Sequence, residues 1–436
     1  MILIDTELRR RAQEGNPVRL AMFGAGFMGR GIANQIARYT PGMDLVAICN
    51  RSVDAAVAAF AQAGVEDVTV VTTANQLEEV VRAGGHAVTD DPAVVCAAEL
   101  VEALVEATGH VEYGAQVTVL AIEHGKHIVL MNAELDATVG PLLRRRAEAA
   151  GIVYTGCDGD QPGVQMNLLR FVESIGLRPL VAGNIKGLQD RYRNPTTQAG
   201  FAKQWGQTAN MVTSFADGTK ISFEQALVAN ATGMRVAQRG MIGLEHKGHV
   251  DELTGLYDLD RIRELGGIVE YVVGSQPSPG VYVLAEAQDE AQALYLDYGK
   301  LGKGPLYSIY VPYHLTVFEV ALSVARVVLF GDSVIAPTHG PVVDVITTMK
   351  TDRSAGEVLD GLGYYMTYGQ CENYDVTRSQ DLLPMGLAEG CRLLRDVKSD
   401  EVLTYADVEL PSGTTVHPLR REQDELFPAA APGDAG

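Results

Sequence analysis

Cysteine is scarce in this sequence: five residues, at 49, 96, 157, 371 and 391, an odd number with no C-x-x-C pair. That pattern excludes a disulfide framework and a cysteine-built zinc cage, and it fits a reducing compartment. Basic residues are also short, 35 against 55 acidic, for a formal net charge of −20. Phosphate-backbone binding needs a basic footprint, so nucleic acid is excluded as the main partner. No apolar run reaches about 18 residues, and no membrane span is expected. The opening MILIDTELRRRAQEGNPVR turns polar after four residues and lacks the apolar segment of a secretory signal. A cytoplasmic location is the expectation. No G-x-S-x-G elbow, no G-x-x-x-x-G-K-[ST] loop and no H-x-x-x-H zinc pattern is present.

What is present is a globular chain of 436 residues, 47% hydrophobic and 21% charged, long enough for two or three domains. Val18 to Phe23 is a compact apolar run, read as a buried strand. Gly24-Ala25-Gly26-Phe27-Met28-Gly29 follows and opens a helix. G-x-G-x-x-G in that strand–helix context is a dinucleotide-binding turn. Gly24 permits the tight turn, Gly26 lets the backbone approach a pyrophosphate, and Gly29 lets helix and strand pack closely. Strands alternate with helices to about residue 155, which predicts a doubly wound parallel sheet.

The end of the second strand reads Asn50-Arg51-Ser52. No carboxylate stands there to accept from a ribose 2′-OH, and Arg51 can pair with a 2′-phosphate, so NADP(H) is favoured over NAD(H). The plain alternative for Arg51 is a solvated loop charge. Thr108-Gly109 and Asn132-Ala133-Glu134 close later strands of the same sheet, on the edge where ligands lie. Glu134 is either part of that site or an acid placed at a helix N-terminus by the dipole.

Reducing a carbonyl needs a proton donor or positive charge at the oxygen. Lys186 in GNIKG and Lys220 in SFADGTK sit beside turn signals, where a side chain can reach a cleft. Asp217 lies three residues before Lys220 and is placed to orient it; the alternative is an ordinary DGTK surface turn. Asp158 and Asp160 precede Pro162. Either they join Glu134 in holding Mg²⁺ or Mn²⁺, or they cap the helix that Pro162 opens. His314 precedes the apolar stretch 315–330, as a capping or core histidine or as a substrate contact. That stretch reads as a buried helix returning to the first domain. Asp352 and Glu357-Val358-Leu359 are echoed by Asp396 and Glu401-Val402-Leu403, 44 positions on, suggesting a small pseudo-symmetric β-rich module.

GAGFMG, EATG, IVLMNAELDA, GDQPG, SFADGTK, VANATG, GPLYSIYVPYHL and LLPMGLAEGCRLLRD together resemble the deoxyxylulose-phosphate-reductoisomerase-like oxidoreductases, relatives of homoserine dehydrogenase with a C-terminal SAF-type β-clip. The resemblance implies a Rossmann domain over 1–155, an α+β catalytic and dimerisation domain over 156–345 and a β-clip over 346–411; the polar, then Ala/Pro/Gly-rich composition of 412–436 is expected to leave that tail disordered. It implies a homodimer, and it places Lys186, Lys220, Asp160 and Glu134 around a small-molecule substrate. The family reaction converts 1-deoxyxylulose 5-phosphate to 2-methylerythritol 4-phosphate with NADPH. For this it implies a phosphate site from Arg191, Arg193, Lys203 and Lys220, and a metal on Glu134, Asp158 and Asp160. Two alternatives stand beside it: a dehydrogenase without rearrangement of the carbon skeleton, and a non-catalytic NADP-binding sensor.

Overall fold

The computed structural model describes residues 3–428, which form two compact units. The first comprises residues 3–136, 142–160 and 315–336. Its sheet has seven strands: β1 (Val18–Phe23), β2 (Met43–Cys49), β3 (Val68–Val70), β4 (His86–Thr89), β5 (Ala103–Glu106), β6 (His127–Leu130) and β7 (Tyr154–Gly156). They run in the order β3-β4-β2-β1-β5-β6-β7, every pair parallel. The order reverses between β1 and β5, so the carboxyl ends of those strands frame the crevice that receives a ligand in such sheets. Strands covered on both faces read as unbroken apolar runs, and β1 is one.

One cover comes from far along the chain. Helix Val320–Phe330 buries Val320, Val324 and Val327 in one cluster with Leu20, Met22, Ile32, Val105 and Val129. Apolar burial brings 315–336 into the first unit; what differs from a cut at residue 155 is that the first unit runs on to residue 160 and that residues 137–141 group with the second.

The second unit comprises residues 137–141, 161–314 and 337–428 of the described chain. Its main sheet is mixed, in the order β12-β11-β8-β10-β9. β8 (Arg178–Lys186), β9 (Leu244–Glu245) and β10 (Ile268–Val273) are parallel; β11 (Gly280–Glu286) and β12 (Leu306–Val311) are antiparallel additions. Helix Thr219–Thr232 is buried on nearly all sides. A helix so enclosed must pair its few polar groups or put them to use.

Residues 346–411 belong to the second unit rather than forming a third. Two antiparallel pairs, β13 (Val343–Met349) with β14 (Thr367–Asn373) and β15 (Arg392–Leu393) with β16 (Val408–Glu409), carry the 44-residue echo into space. Arg353 and Val397 exchange backbone hydrogen bonds of 2.9 Å in both directions. The Met349 N–H donates to the Glu401 carbonyl, and Leu393 N–H donates to Glu357 carbonyl, both at 2.9 Å. Asp352 accepts from the Ser399 N–H, and Asp396 accepts from that of Ala355, again both at 2.9 Å. These bonds are related by an approximate two-fold axis between Arg353 and Val397.

The expected disorder from residue 412 also needs correction. Val416–Leu426 is a helix, held by fully buried Arg420, whose guanidinium grips the Asp344 carboxylate at 2.6 and 2.8 Å and donates to the Thr138 carbonyl at 3.2 Å. An ion pair removed from water and bonded on both sides overrides the polar composition of that segment. The Ala/Pro/Gly-rich end, 429–436, lies outside the described residues.

Candidate active site

At the carboxyl edge of the first sheet, Gly24 takes φ +104°, and a Cβ there would stand 2.9 Å from the Ala107 carbonyl oxygen. A Cβ on Gly29 would fall 2.3 Å from the Gly24 oxygen, so helix Phe27–Tyr39 can start this close to β1 only with glycine. Gly26 differs. It is exposed, and a Cβ would meet nothing within 4 Å, which leaves open space above the backbone. Gly26 caps the helix without a side chain, and the first turn holds no acid. Its N–H groups and dipole therefore face that space and suit a pyrophosphate.

Asn50 ties the second loop to the first: its Oδ1 accepts from the Ala25 N–H at 3.1 Å, and its Nδ2 donates to the Ser52 carbonyl at 2.8 Å. Ser52 caps helix Val53–Gln62. Between them Arg51 is exposed and makes no hydrogen bond or ion pair among the described residues. Thr108 is anchored by Glu106, the fully buried last residue of β5, whose carboxylate accepts from the Thr108 N–H at 2.8 Å and from its hydroxyl. Burial pushes the Glu106 carboxyl up, and those bonds pull it back. Asn132 caps helix Ala133–Ala149 and donates to the His110 carbonyl at 3.2 Å, which joins the turns after β5 and β6. Phe27 is exposed and Met28 half-buried at the start of the helix.

In the second unit, Lys186 ends β8 and Lys220 lies in the first turn of helix Thr219–Thr232. Two contacts fix how these elements run past each other. Asn184 Nδ2 donates to Glu224 Oε2 at 3.3 Å, and Gln189 lies against Gly218, where a Cβ would be 2.4 Å from its Nε2. Strand and helix are thus antiparallel. Lys186 shares a strand face with Asn184, and Lys220 shares a helix face with Glu224. This order puts Lys186 between Asn184 and Gln189 on one element and Lys220 between Gly218 and Glu224 on the other, both toward the carboxyl end of β8. Asn184 is fully buried and its Oδ1 has no hydrogen-bond partner, while Gln165 and Gln225 nearby are each bonded on one side only, to each other at 3.3 Å. Unsatisfied buried amides beside two lysines describe a polar recess suited to water or substrate. His314 stands 3.2 Å from Gln161 through its Nε2, on the first residue of helix Gln161–Ser174.

Comparison with known proteins bears on both halves. Residues 24–155 match the family model of the homoserine dehydrogenase NAD binding domain, and residues 159–320 match that of oxidoreductase DRL, catalytic domain. The chain is an NAD(P)-dependent oxidoreductase. No curated protein matches it. Among solved structures, the putative oxidoreductase yvaA of Bacillus subtilis is 11% identical over 74% of this chain and 91% of its own, with a TM-score of 0.40. KijD10, a 3-ketoreductase from Actinomadura kijaniata in complex with NADP and TDP-benzene, is 13% identical over 73% and 91%, with a TM-score of 0.34. An NAD binding oxidoreductase from Klebsiella pneumoniae is 17% identical over 40% of this chain and 43% of that one, at a TM-score of 0.29. This chain thus spans less than half the Klebsiella protein. Likeness this distant carries no argument about substrate.

Within this oxidoreductase, Asp217 does not serve Lys220 in the way the spacing suggested. Its buried carboxylate accepts from Lys350 Nζ at 2.7 Å and from the Thr219 N–H at 2.9 Å. Burial pushes this carboxyl up; Lys350 and Thr219 pull it back. Asp217 is a positioning residue for the helix start. Lys350, 96% buried, also donates to the carbonyls of Arg193 and Tyr364, and the sequence offered no sign of it. Arg193 is a strut, its Nε on Asp190 at 3.0 Å, and Lys203 is exposed in the last turn of helix Pro195–Trp205. Arg191 alone of the proposed phosphate ligands lines the cavity of the second unit, together with Asp217.

The metal set also fails. Asp158 is held by Arg326 at 3.1 Å and by the Ser323 hydroxyl at 3.2 Å. Among the described residues no group of three His, Cys, Asp or Glu side chains is arranged to hold a metal. Glu134 is buried in the first turn of helix Ala133–Ala149, where an acid suits the dipole, and Asp160 is half-buried directly before helix Gln161–Ser174. A guanidinium beside Asp158 repels a cation from it, so the carboxylates here do not fit Mg²⁺ or Mn²⁺. No described helix is long and apolar enough to cross a membrane.

Proposed function

We propose that this enzyme uses NADPH to reduce the carbonyl of a small polar substrate, without rearranging its carbon skeleton. The observation that carries the reading is the Asn184–Glu224 contact between β8 and helix Thr219–Thr232, the two elements that carry Lys186 and Lys220, beside buried, unsatisfied amides. Bound NADPH supplies the hydride. As the carbonyl carbon accepts it, the oxygen gains negative charge, which Lys220 stabilises and then neutralises by giving up a proton. Lys186 adds a second positive charge beside it. Arg51, exposed and uncommitted after β2, supports NADPH over NADH. Asp158 held by Arg326 favours reduction alone over the metal-dependent isomerisation that the family resemblance implies. A homodimer is part of the proposal, to be read by analytical ultracentrifugation.

The test is NADPH oxidation with a panel of small phosphorylated, carboxylated and neutral aldehydes and ketones, 1-deoxyxylulose 5-phosphate included. Turnover on one of them should be insensitive to EDTA and should fall roughly 10²–10⁴-fold in Lys220→Ala, with NADPH affinity kept. EDTA-sensitive conversion of 1-deoxyxylulose 5-phosphate to 2-methylerythritol 4-phosphate would establish the reductoisomerase instead. Cofactor binding with no turnover on any member would make the chain a sensor.

A further inference from the structure

The second unit contains a cavity of about 490 Å³ that the lysine pair does not line. Helix Thr219–Thr232 separates the two. Lys220 and Glu224 face β8, whereas Gly218, Ile221 and Ser222 face the cavity, with the Ser222 hydroxyl turned toward the Gly369 carbonyl of β14 at 3.2 Å. The cavity opens at the carboxyl ends of β9 and β10, by Glu245 and Val273.

One wall is a built turn. Met241 holds φ +67° although it is not glycine, and it is buried. The next two N–H groups, of Ile242 and Gly243, donate to the buried Glu270 carboxylate at 2.5 and 2.9 Å, which over-determines the strained residue. Strain maintained in this way at a cavity wall is a mark of a ligand site.

The charges say which ligand. Of the three carboxylates on the wall, Asp190 is neutralised by Arg193 at 3.0 Å and Asp217 by Lys350 at 2.7 Å, and Glu245 is exposed at the mouth. The guanidiniums keep donors in reserve. Arg191 lies over the Tyr368 ring at 5.8 Å and makes only long polar contacts, 3.4 Å to the Tyr368 hydroxyl and 3.8 Å to Asp400. Arg239 uses Nε on Glu372 and Nη2 on Gln380. Gly218 starts the helix with no side chain of its own, and Asp217 takes the Thr219 N–H at 2.9 Å. Gln189 Oε1, a buried atom without a partner, lies across that helix start.

We propose that this cavity is a second ligand site, separate from the lysine pair, for a small molecule bearing a carboxylate or phosphate. Arg191 and Arg239 hold the anionic group beside the start of helix Thr219–Thr232, and the Tyr271 and Tyr368 rings flank its body. Both flanks share one helical turn, so occupancy on the cavity side bears on the position of Lys220.

Equilibrium dialysis of the full chain, saturated with NADPH to mask the dinucleotide site, tests this with labelled inorganic phosphate and, separately, labelled succinate. At least one should bind saturably, one per chain, below about 20 mM, a range suited to fragment-sized ligands. Arg191→Gln, at a half-exposed position, should weaken binding about tenfold or more. Arg239→Gln should do the same wherever its thermal midpoint shows a folded protein, and Lys220→Ala should leave binding unchanged. Phosphate alone, succinate alone or both would tell which anionic group the site takes. Absence of saturable binding by either anion overturns the proposal. So does binding that survives Arg191→Gln and is lost in Lys220→Ala, which would move the anion to the lysines.

Discussion

The two halves of this enzyme build their sites from different material. The dinucleotide crevice is made of backbone: three glycines within six residues, an uncapped helix start, and two short loops tied by Asn50 and Glu106. The candidate site of the second unit is made of side chains far apart in sequence, Gln161 with His314 and the lysines of β8 and helix Thr219–Thr232, with Lys350 bracing the helix start. A backbone site depends on local conformation, which consecutive residues dictate. A side-chain site depends on long-range register, which they do not.

The largest effect that sharpens this contrast is on stability in the second half. Lys350→Met strands a buried Asp217 carboxylate and two carbonyls, and should cost about 3–5 kcal/mol, read by denaturant unfolding. An equal cost from any single substitution in the Gly24–Gly29 loop's open position would blur the distinction. That position is Gly26. Gly26→Ala meets no protein atom within 4 Å, so the thermal midpoint should hold while NADPH affinity falls on the order of a hundredfold, because the backbone can no longer approach the pyrophosphate. Arg51→Ala comes next. NADPH binding should weaken by about 1.5–3 kcal/mol while NADH binding stays unchanged, in calorimetric titrations of both. Equal losses would remove the case for NADPH.

The last expected effect, of similar size, concerns pH. Asp136 is fully enclosed beside Tyr154; burial pushes its carboxyl up to about 7, with the Tyr154 hydroxyl opposing the shift. Glu270 is also raised to about 7 by burial, although two N–H groups oppose the shift. A carboxyl raised on folding binds its proton more tightly in the native state. Its contribution is complete below the unfolded value near 4 and is lost as pH rises through about 7. Asp136→Asn should therefore gain stability relative to the parent between pH 5 and pH 8, by about 2–3 kcal/mol, since each unit of displacement is worth about 1.4 kcal/mol. A difference that is flat with pH would show that Asp136 titrates normally.

Legibility follows the same division. The strand Val18–Phe23, the glycine turn and Asn50-Arg51-Ser52 are readable in order because each acts on its neighbours. The 44-residue echo was readable because its aspartates and glutamates repeat the same backbone bonds. Apolarity showed that 320–330 is a buried helix, and its membership of the first unit follows from the cluster around Leu20 and Met22. Nothing local marks Lys350 as the partner of Asp217, 133 positions away, or Arg420 as the partner of Asp344, 76 away. Both are buried ion pairs whose halves read as surface charges until the fold joins them. The β-clip expectation is untouched by the family models, which end at residue 320.

The most direct measurement is a calorimetric titration of the unmodified chain with NADPH and with NADH. Saturable binding of one NADPH per chain, tighter than NADH, is the predicted result. No heat with either nucleotide, from protein shown to be folded, would contradict the assignment of the helix start at Gly26 as a pyrophosphate site.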